Sequence, residues 1–238
     1  MKRFYANVTL EPIDASEGSM LRLTLDGRSV KTPAKTEVLL TPGPYADVVK
    51  AEWEAQGDEI RPHTMPLTRL TNTVIDGVTP RRNDVASDVI AYGNSDLICY
   101  WADAPADLVA RQEQHWRPVL NWATEYLKAN FKTVTGVVAI EQDENAIIVL
   151  AVDINKLDNY ALAALHEMTT ITGSVLISLA VVRGALNAEA AWEAAHLDEA
   201  HQTALWGTDD EAAARLEGRK GAFMSAVRAL TLLDAIGT

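Results

Sequence analysis

Leu21-Arg22-Leu23-Thr24-Leu25-Asp26-Gly27-Arg28-Ser29-Val30-Lys31 decides how the front of the chain folds. Leu21, Leu23 and Leu25 alternate with polar neighbours, which gives the segment one buried face and the period of a β-strand. Asp26-Gly27 is a two-residue hairpin signal, because both central positions of the favoured turn need positive φ. Residues 28–31 then form the return strand. Toward the N-terminus, Phe4, Ala6, Val8 and Leu10 repeat the alternation and predict another strand with those residues inward. Toward the C-terminus, residues 38–40 predict a further short strand.

The period then changes. Thr41-Pro42 can open a helix, with Thr41 as the cap. That helix carries Tyr45, Val48, Val49 and Trp53 inward and stops at Gly57. From about Met65 onward the pattern is mostly helical. Leu67, Leu70, Val74 and Val78 share one stripe, and residues 107–128 place Leu108, His115, Val119, Trp122 and Tyr126 at helical spacing. Pro118 predicts a kink there, or two abutting helices. Residues 134–140 are either a short strand or an extended connection. The tail from Asn145 reads as several helices, with turns near Asp153, Thr172-Gly173, Gly184 and Gly207-Thr208. Leu176, Ile177, Leu179, Ala180 and Val181 make one helix apolar nearly all round, the signature of a buried bundle centre. The fold class is therefore α+β: a β-rich N-terminal domain with one or two helices over residues 1–80, then a mainly α-helical bundle over residues 81–238.

The 238 residues carry a formal net charge of -12, with 48% apolar residues. A surface that acidic repels phosphate backbones and anionic membranes, so neither nucleic acid nor membrane insertion is expected. The longest apolar run, Val175–Val182, is about half of a membrane span. The start shows neither a signal peptide nor an Arg- and Ser-rich presequence, so the chain reads as soluble. One cysteine, Cys99 in an apolar run, cannot build a disulfide framework and reads as a buried structural thiol.

The sequence gives no specific reason to propose catalysis. Gly218-Arg219-Lys220-Gly221 has the wrong order and spacing for a phosphate loop, and neither a dinucleotide fingerprint nor a nucleophile elbow occurs. The histidines are His63, His115, His166, His196 and His201. His196 and His201 are five apart, on different sides of a helix, so they cannot clamp one metal. No cofactor is expected. The competing reading is a small-molecule enzyme with a dispersed polar site drawn from Asp26, Arg28, Lys31 and Arg69. A deep pocket with converging ionisable groups would favour it.

Three blocks stand out, each with a plain structural reading. Leu25-Asp26-Gly27-Arg28 with Val30-Lys31-Thr32-Pro33 can be simply a charged hairpin. Glu52-Trp53-Glu54-Ala55-Gln56 precedes Arg61 and Met65-Pro66-Leu67-Thr68-Arg69. Trp53 there reads as a core anchor, while Arg61 and Arg69 could pair with Glu52, Glu54 or Asp76. The third block runs from Ala188 to Glu217, where eight acidic residues accompany one basic residue, Arg215. A charged helix face is usually just solvated. This one lies beside Trp192 and Trp206, and aromatic groups with carboxylates suit capture of a partner showing arginines and apolar patches.

In this order and at these separations the blocks resemble the family of assembly chaperones for the F1 part of ATP synthase that handle the alpha subunit. The resemblance extends through Arg3-Phe4-Tyr5, Asp96-Leu97-Ile98-Cys99-Tyr100, Arg111-Gln112, Trp116 and the stretch from Glu199 through Trp206-Gly207 to Glu211-Ala212. It departs at Trp101, where the family favours Arg. The resemblance implies a β-rich front and a helical rear, and binding of the unassembled F1 alpha subunit until it pairs with beta, without catalysis. It places the sensitive tryptophan on Trp53 and the sensitive carboxylate on Glu199 or its neighbour Asp198. With these go Trp206, Asp209 and Glu211 as candidate partner-binding residues. The chain is expected to be a monomer when alone and, with no presequence, cytoplasmic in a bacterium; for eukaryotic relatives the resemblance implies the mitochondrial matrix.

Overall fold

The structure, a computed structural model, describes residues 1–15, 18–207 and 209–237. Strand β1 (Val8–Ala15) pairs antiparallel with β2 (Gly18–Leu25), from Val8 opposite Leu25 to Ala15 opposite Gly18. Two short strands, β3 (Arg28–Ser29) and β4 (Leu39–Leu40), also pair with β2. Asp26 and Gly27 have φ of 48° and 77°, the geometry expected of a tight two-residue hairpin turn. Leu23 and Leu25 are buried and Leu21 is half-buried, as the alternation requires.

The first residues do not extend this ladder. Phe4, expected inward, is exposed, and Tyr5 is buried instead. The cause is a different partner: the Ile60 N–H donates to Met1 O (2.8 Å) and the Arg3 N–H to Asp58 O (2.9 Å). The Asp26 carboxylate then accepts from the amides of Ala6 and Asn7 (Oδ2 3.1 Å and Oδ1 2.8 Å), pinning this segment to the hairpin.

Helix α1 (Pro44–Glu54) begins later than Thr41-Pro42 suggested, after a turn in which Gly43 adopts φ 149°. Pro44 takes a position where a missing N–H costs nothing. Helix α2 (Pro66–Thr73) runs into one wide π-helical turn, Val74–Val78, and together they bury Leu67, Leu70, Val74 and Val78. The expected arginine pairs do not form. Glu52 instead accepts from the Leu67 and Thr68 amides, both at 2.8 Å, and so caps α2. Asp76 accepts from the Thr32 hydroxyl (2.7 Å) and the Ala34 amide (3.0 Å).

The rear of the chain is helical: α3 (Arg82–Ala91), α4 (Ala106–Leu127), α5 (Glu144–Ile154), α6 (Asn159–Thr172), α7 (Val175–Val182), α8 (Ala188–Ala195), α9 (Leu197–Trp206) and α10 (Asp210–Leu232). The expected division at residue 80 falls just ahead of α3. One small parallel pair, β5 (Tyr100–Trp101) with β6 (Val134–Thr135), joins α3's exit to α4's exit; the strand option at 134–140 reduces to these two residues. Helix α4 is one continuous element through Pro118, which lies on its exposed side. Its buried stripe is Leu108, Gln112, Trp116, Val119, Ala123 and Leu127, rotated from the expected one, so that Tyr126 is exposed. Thr208, half of the expected Gly207-Thr208 turn, lies outside the described residues. Among the described residues no helix is long and apolar enough to cross a membrane.

Every residue of α7 is buried, and α4, α6, α8 and α10 pack around it. A helix that apolar cannot reach water to satisfy its first amides. Ser174 caps it through Oγ to the Ile177 amide (3.0 Å), and Asp96 reaches in from a distant turn. The fully buried Asp96 accepts from Ser174 Oγ (2.6 Å), the Leu176 amide (3.0 Å) and its own Ile98 amide (3.2 Å). Burial pushes its carboxyl up to about 6, against the pull of these hydrogen bonds. Asp96→Ala orphans the Ser174 hydroxyl and the Leu176 amide, and urea unfolding is expected to show a loss of about 3 kcal/mol. The raised pKa also fixes a sign. The folded state binds the Asp96 proton more tightly than the unfolded chain, so this group's contribution to stability falls as pH rises from about 4 to 6. Asp96→Asn is expected to remove that slope while lowering stability at every pH; an unchanged slope places the titration elsewhere.

Candidate partner-binding surface

Helices α9 and α10 form an elbow at the end of the bundle. Leu197 and His201 fasten α9 to the core, and beyond them its residues from Gln202 to Trp206 are exposed. Gly207, at φ 76°, ends α9 with a conformation that side chains disfavour. Asp209 starts α10 by accepting the Ala212 amide at 2.7 Å. The tip carries Trp206, 85% exposed, and Leu205, 62% exposed. A cleft of about 440 Å³ lies inside the elbow, lined by Glu199, Trp206, Asp209, Arg215, Leu216 and Arg219 among others.

Glu199 stands half in solvent, with its carboxylate 3.2 Å from the Arg219 guanidinium. Arg219 also donates to Ile171 O at 2.8 Å, so the pair joins α9 and α10 to the end of α6. The His196 ring stacks on Trp192 at 3.6 Å between centroids, and its Nδ1 is 2.9 Å from Trp192 O. Burial holds this imidazole below its ordinary pKa, so at neutral pH it gives Glu199, 3.9 Å away, no ion pair. Asp198 is only half-exposed and accepts from Gln112 Nε2 at 3.0 Å, while Gln112 Oε1 accepts from the Ala102 amide at 2.9 Å. Asp198 is thus tied into the bundle, and Glu199 faces outward.

The acidic excess from Ala188 to Glu217 is less bare than the sequence window implied. Three cations on α10 answer it: Arg215 on Glu211 (2.6 Å), Arg219 on Glu199 (3.2 Å) and Lys220 on Glu189 (3.0 Å). Two of these residues lie just past the end of that window. Glu193, Asp210 and Glu217 have no ion-pair or hydrogen-bonding side-chain partner among the described residues and remain free to meet a partner.

Trp53 is not at the elbow. It lies half-buried on α1, its ring 5.8 Å from that of Tyr5, whose hydroxyl donates to Trp53 O at 2.8 Å. Trp101 is buried, donates from Nε1 to Ile98 O (2.9 Å) and meets Trp116 edge-on at 5.8 Å. The Arg117 guanidinium covers its ring at 4.5 Å, so a cation still occupies that surface. The dispersed polar set does not converge. Asp26, Arg28 and Lys31 are exposed on the hairpin, while Arg69 lies on α2. Cys99 is buried, and burial with the nearby Asp96 pushes its thiol up to about 12, far from thiolate chemistry.

With this geometry in place, the family model described as ATP12 chaperone protein matches residues 2–124. The chain belongs to the ATP12 chaperone family. It is similar over 98% of its length to the Atu1473 protein of Agrobacterium tumefaciens, covering 86% of that chain at 42% identity and a TM-score of 0.90. Atp12 from Paracoccus denitrificans matches over 97% of both chains at 35% identity and a TM-score of 0.89. The mitochondrial protein atp12 of Schizosaccharomyces pombe is 22% identical over 224 residues, 89% of this chain and 75% of that protein. The family match ends inside α4, whereas the two structural matches extend over nearly the whole chain.

The two candidate residues are expected to fail differently when changed. Glu199→Lys breaks only an exposed ion pair, so its melting temperature should stay within the effect of about 1 kcal/mol or less. Trp53→Arg puts a charge against Tyr5 and should lower stability by about 2 kcal/mol or more, seen as reduced solubility and an earlier thermal transition. A Trp53→Arg protein with the wild-type transition would make that residue a surface group.

Proposed function

We propose that this ATP12-family chain is a holding chaperone for F1 ATP synthase assembly, and that its client is the unassembled alpha subunit. An unpaired ring subunit exposes interface that is larger and more apolar than ordinary surface, and such a species aggregates unless covered. The observation that carries the reading is Trp206, 85% exposed beside Leu205 on an elbow bearing Glu199, Asp209 and Asp210. Covering one tryptophan removes roughly 150–250 Å² from water. The surrounding carboxylates select a client that shows arginines and speed encounter without adding much affinity. Binding of this kind involves no covalent chemistry, and release follows when beta displaces the chaperone. In a bacterial cell this happens in the cytoplasm, with the chaperone monomeric before it meets alpha. Glu199, Trp206, Asp209 and Glu211 form the contact surface in this reading, with the half-exposed Asp198, held by Gln112, at its edge, and Trp53 supports the fold.

Co-expression with the F1 alpha subunit is expected to keep alpha soluble and to yield a stable complex on size exclusion. Trp206→Ala should weaken that complex by about 2 kcal/mol, the scale of an interface hot spot, with an unchanged melting temperature. Alpha that aggregates equally with and without the chaperone would overturn the reading.

A further inference from the structure

A smaller cleft, of about 270 Å³, lies at the foot of the elbow, where the end of α6 meets the junction of α8 and α9. Leu97 and Trp116 form its apolar wall, and His196, Asp198, Glu199 and Arg219 its polar one. Glu199 and Arg219 also line the elbow cleft, so a group held in one concavity sits beside the other.

His196 has a nitrogen that nothing in the chain answers. Only 6% of the residue is exposed. Its Nδ1 lies 2.9 Å from the Trp192 carbonyl oxygen, so Nδ1 carries the proton and Nε2 keeps a bare lone pair. That Nε2 is buried and has no hydrogen-bond partner among the described residues. Glu199 Oε2 stands 3.9 Å from it. Two acceptors thus face each other with no donor between them, an arrangement that costs free energy while it stays unfilled. The spacing is too long for a direct bond, and it admits one N–H donor group lying about 2.9 Å from each.

The charge of the lining says which donor. Asp198 is held by the neutral Gln112 amide and pairs with no cation among the described residues. The cleft therefore sets two carboxylates against the one guanidinium of Arg219. The carbonyl end of α6 adds partial negative charge. Arg219 spans Glu199 Oε1 and Ile171 O, which leaves Glu199 Oε2 and His196 Nε2 to another group. The described residues hold no group of three side chains able to bind a metal ion, so an organic cation is the matching donor. Water would satisfy the two acceptors but not the excess negative charge.

We propose that this cleft is a subsite for one basic side chain of the client, whose cationic N–H group donates to both His196 Nε2 and Glu199 Oε2 while its aliphatic stem lies toward Leu97. The identity of the client, the F1 alpha subunit, rests on the function proposed above.

The test measures binding of purified F1 alpha to the full-length chain and to its variants. His196→Phe keeps a ring on Trp192, and the backbone amide of residue 196 still serves Trp192 O, as it does now at 3.2 Å. The acceptor is lost, so binding should weaken about tenfold. The melting temperature should equal or exceed that of wild type, because an unpaired buried acceptor has gone. His196→Gln, whose side-chain oxygen restores an acceptor, should retain most of the affinity. His196→Phe and Glu199→Gln should combine less than additively, since both act on one bound group. If His196→Phe binds alpha as tightly as wild type, or if the two losses simply add, the subsite falls and the chaperone reading stands. Equal losses in His196→Phe and His196→Gln, each with a lowered melting temperature, would make the histidine a structural residue and also overturn the subsite. Alpha that ignores the wild-type chain overturns both readings.

Discussion

A helix with no polar face has to be started by something other than water, and the bundle is organised around that requirement. All of α7 is buried, so its first amides depend on Ser174 and on the Asp96 carboxylate. Asp96 is more than seventy residues earlier in the chain, in the turn ahead of β5, and it brings Leu97, Ile98 and Cys99 with it. Because α6, α8 and α10 all pack on α7, the position of the α9–α10 elbow is set through this carboxylate. A buried charge is costly when unpaired, so the site demands its full set of donors and tolerates few alternatives.

The same device recurs at the front of the molecule. Asp26 holds the amides of Ala6 and Asn7, Glu52 those of Leu67 and Thr68, and Asp76 that of Ala34 together with the Thr32 hydroxyl. Each joins segments far apart in sequence, and each lies in or against one of the blocks through which the chain resembles its family. Those blocks are therefore fasteners first. Gln56 shows this again: its side-chain oxygen accepts the Arg61 amide at 2.7 Å and its nitrogen donates to Glu52 O at 2.9 Å. Asp143, Asp158 and Asp209 cap helices in the rear. A good part of the acidic composition is internal wiring, not surface display.

What could be read from the sequence was whatever depended on local period and turn chemistry. The Asp26-Gly27 hairpin, the Leu67 to Val78 stripe and the buried α7 all follow from spacing alone. Errors arose where a distant partner decided. Phe4 faces outward because residues 58–60, not β2, pair with the N-terminal segment. The α4 stripe rotates because Gln112, polar on paper, is buried between Ala102 and Asp198. Of the acids expected for Arg61 and Arg69, Glu52 and Asp76 hold backbone amides and Glu54 holds Lys50, which no residue count reveals. At the elbow Trp206 and Glu199 are exposed, whereas Trp192, grouped with Trp206 in the sequence, is buried. The cations that answer the acidic stretch were missed, because α10 carries Arg219 and Lys220 back along α9 and α8 only once it has folded.

The cations of α10 leave this surface with a pattern of charge and not a uniform one. A uniformly acidic face would bind many basic proteins with little discrimination, since unscreened charge is non-directional. Here Glu193, Asp210 and Glu217 project without cations, while Glu211, Glu199 and Glu189 are answered by Arg215, Arg219 and Lys220. A basic protein whose cations fall opposite the unanswered carboxylates would gain more than one whose charge is merely positive. One whose cations fall instead opposite Arg215, Arg219 or Lys220 would set like charges together, which costs free energy at a desolvated contact. Asp210, Glu217, Arg215, Arg219 and Lys220 are all carried by α10, one long helix held against α6 and α7, so their spacing along it is fixed and a poor match cannot be relieved by local rearrangement.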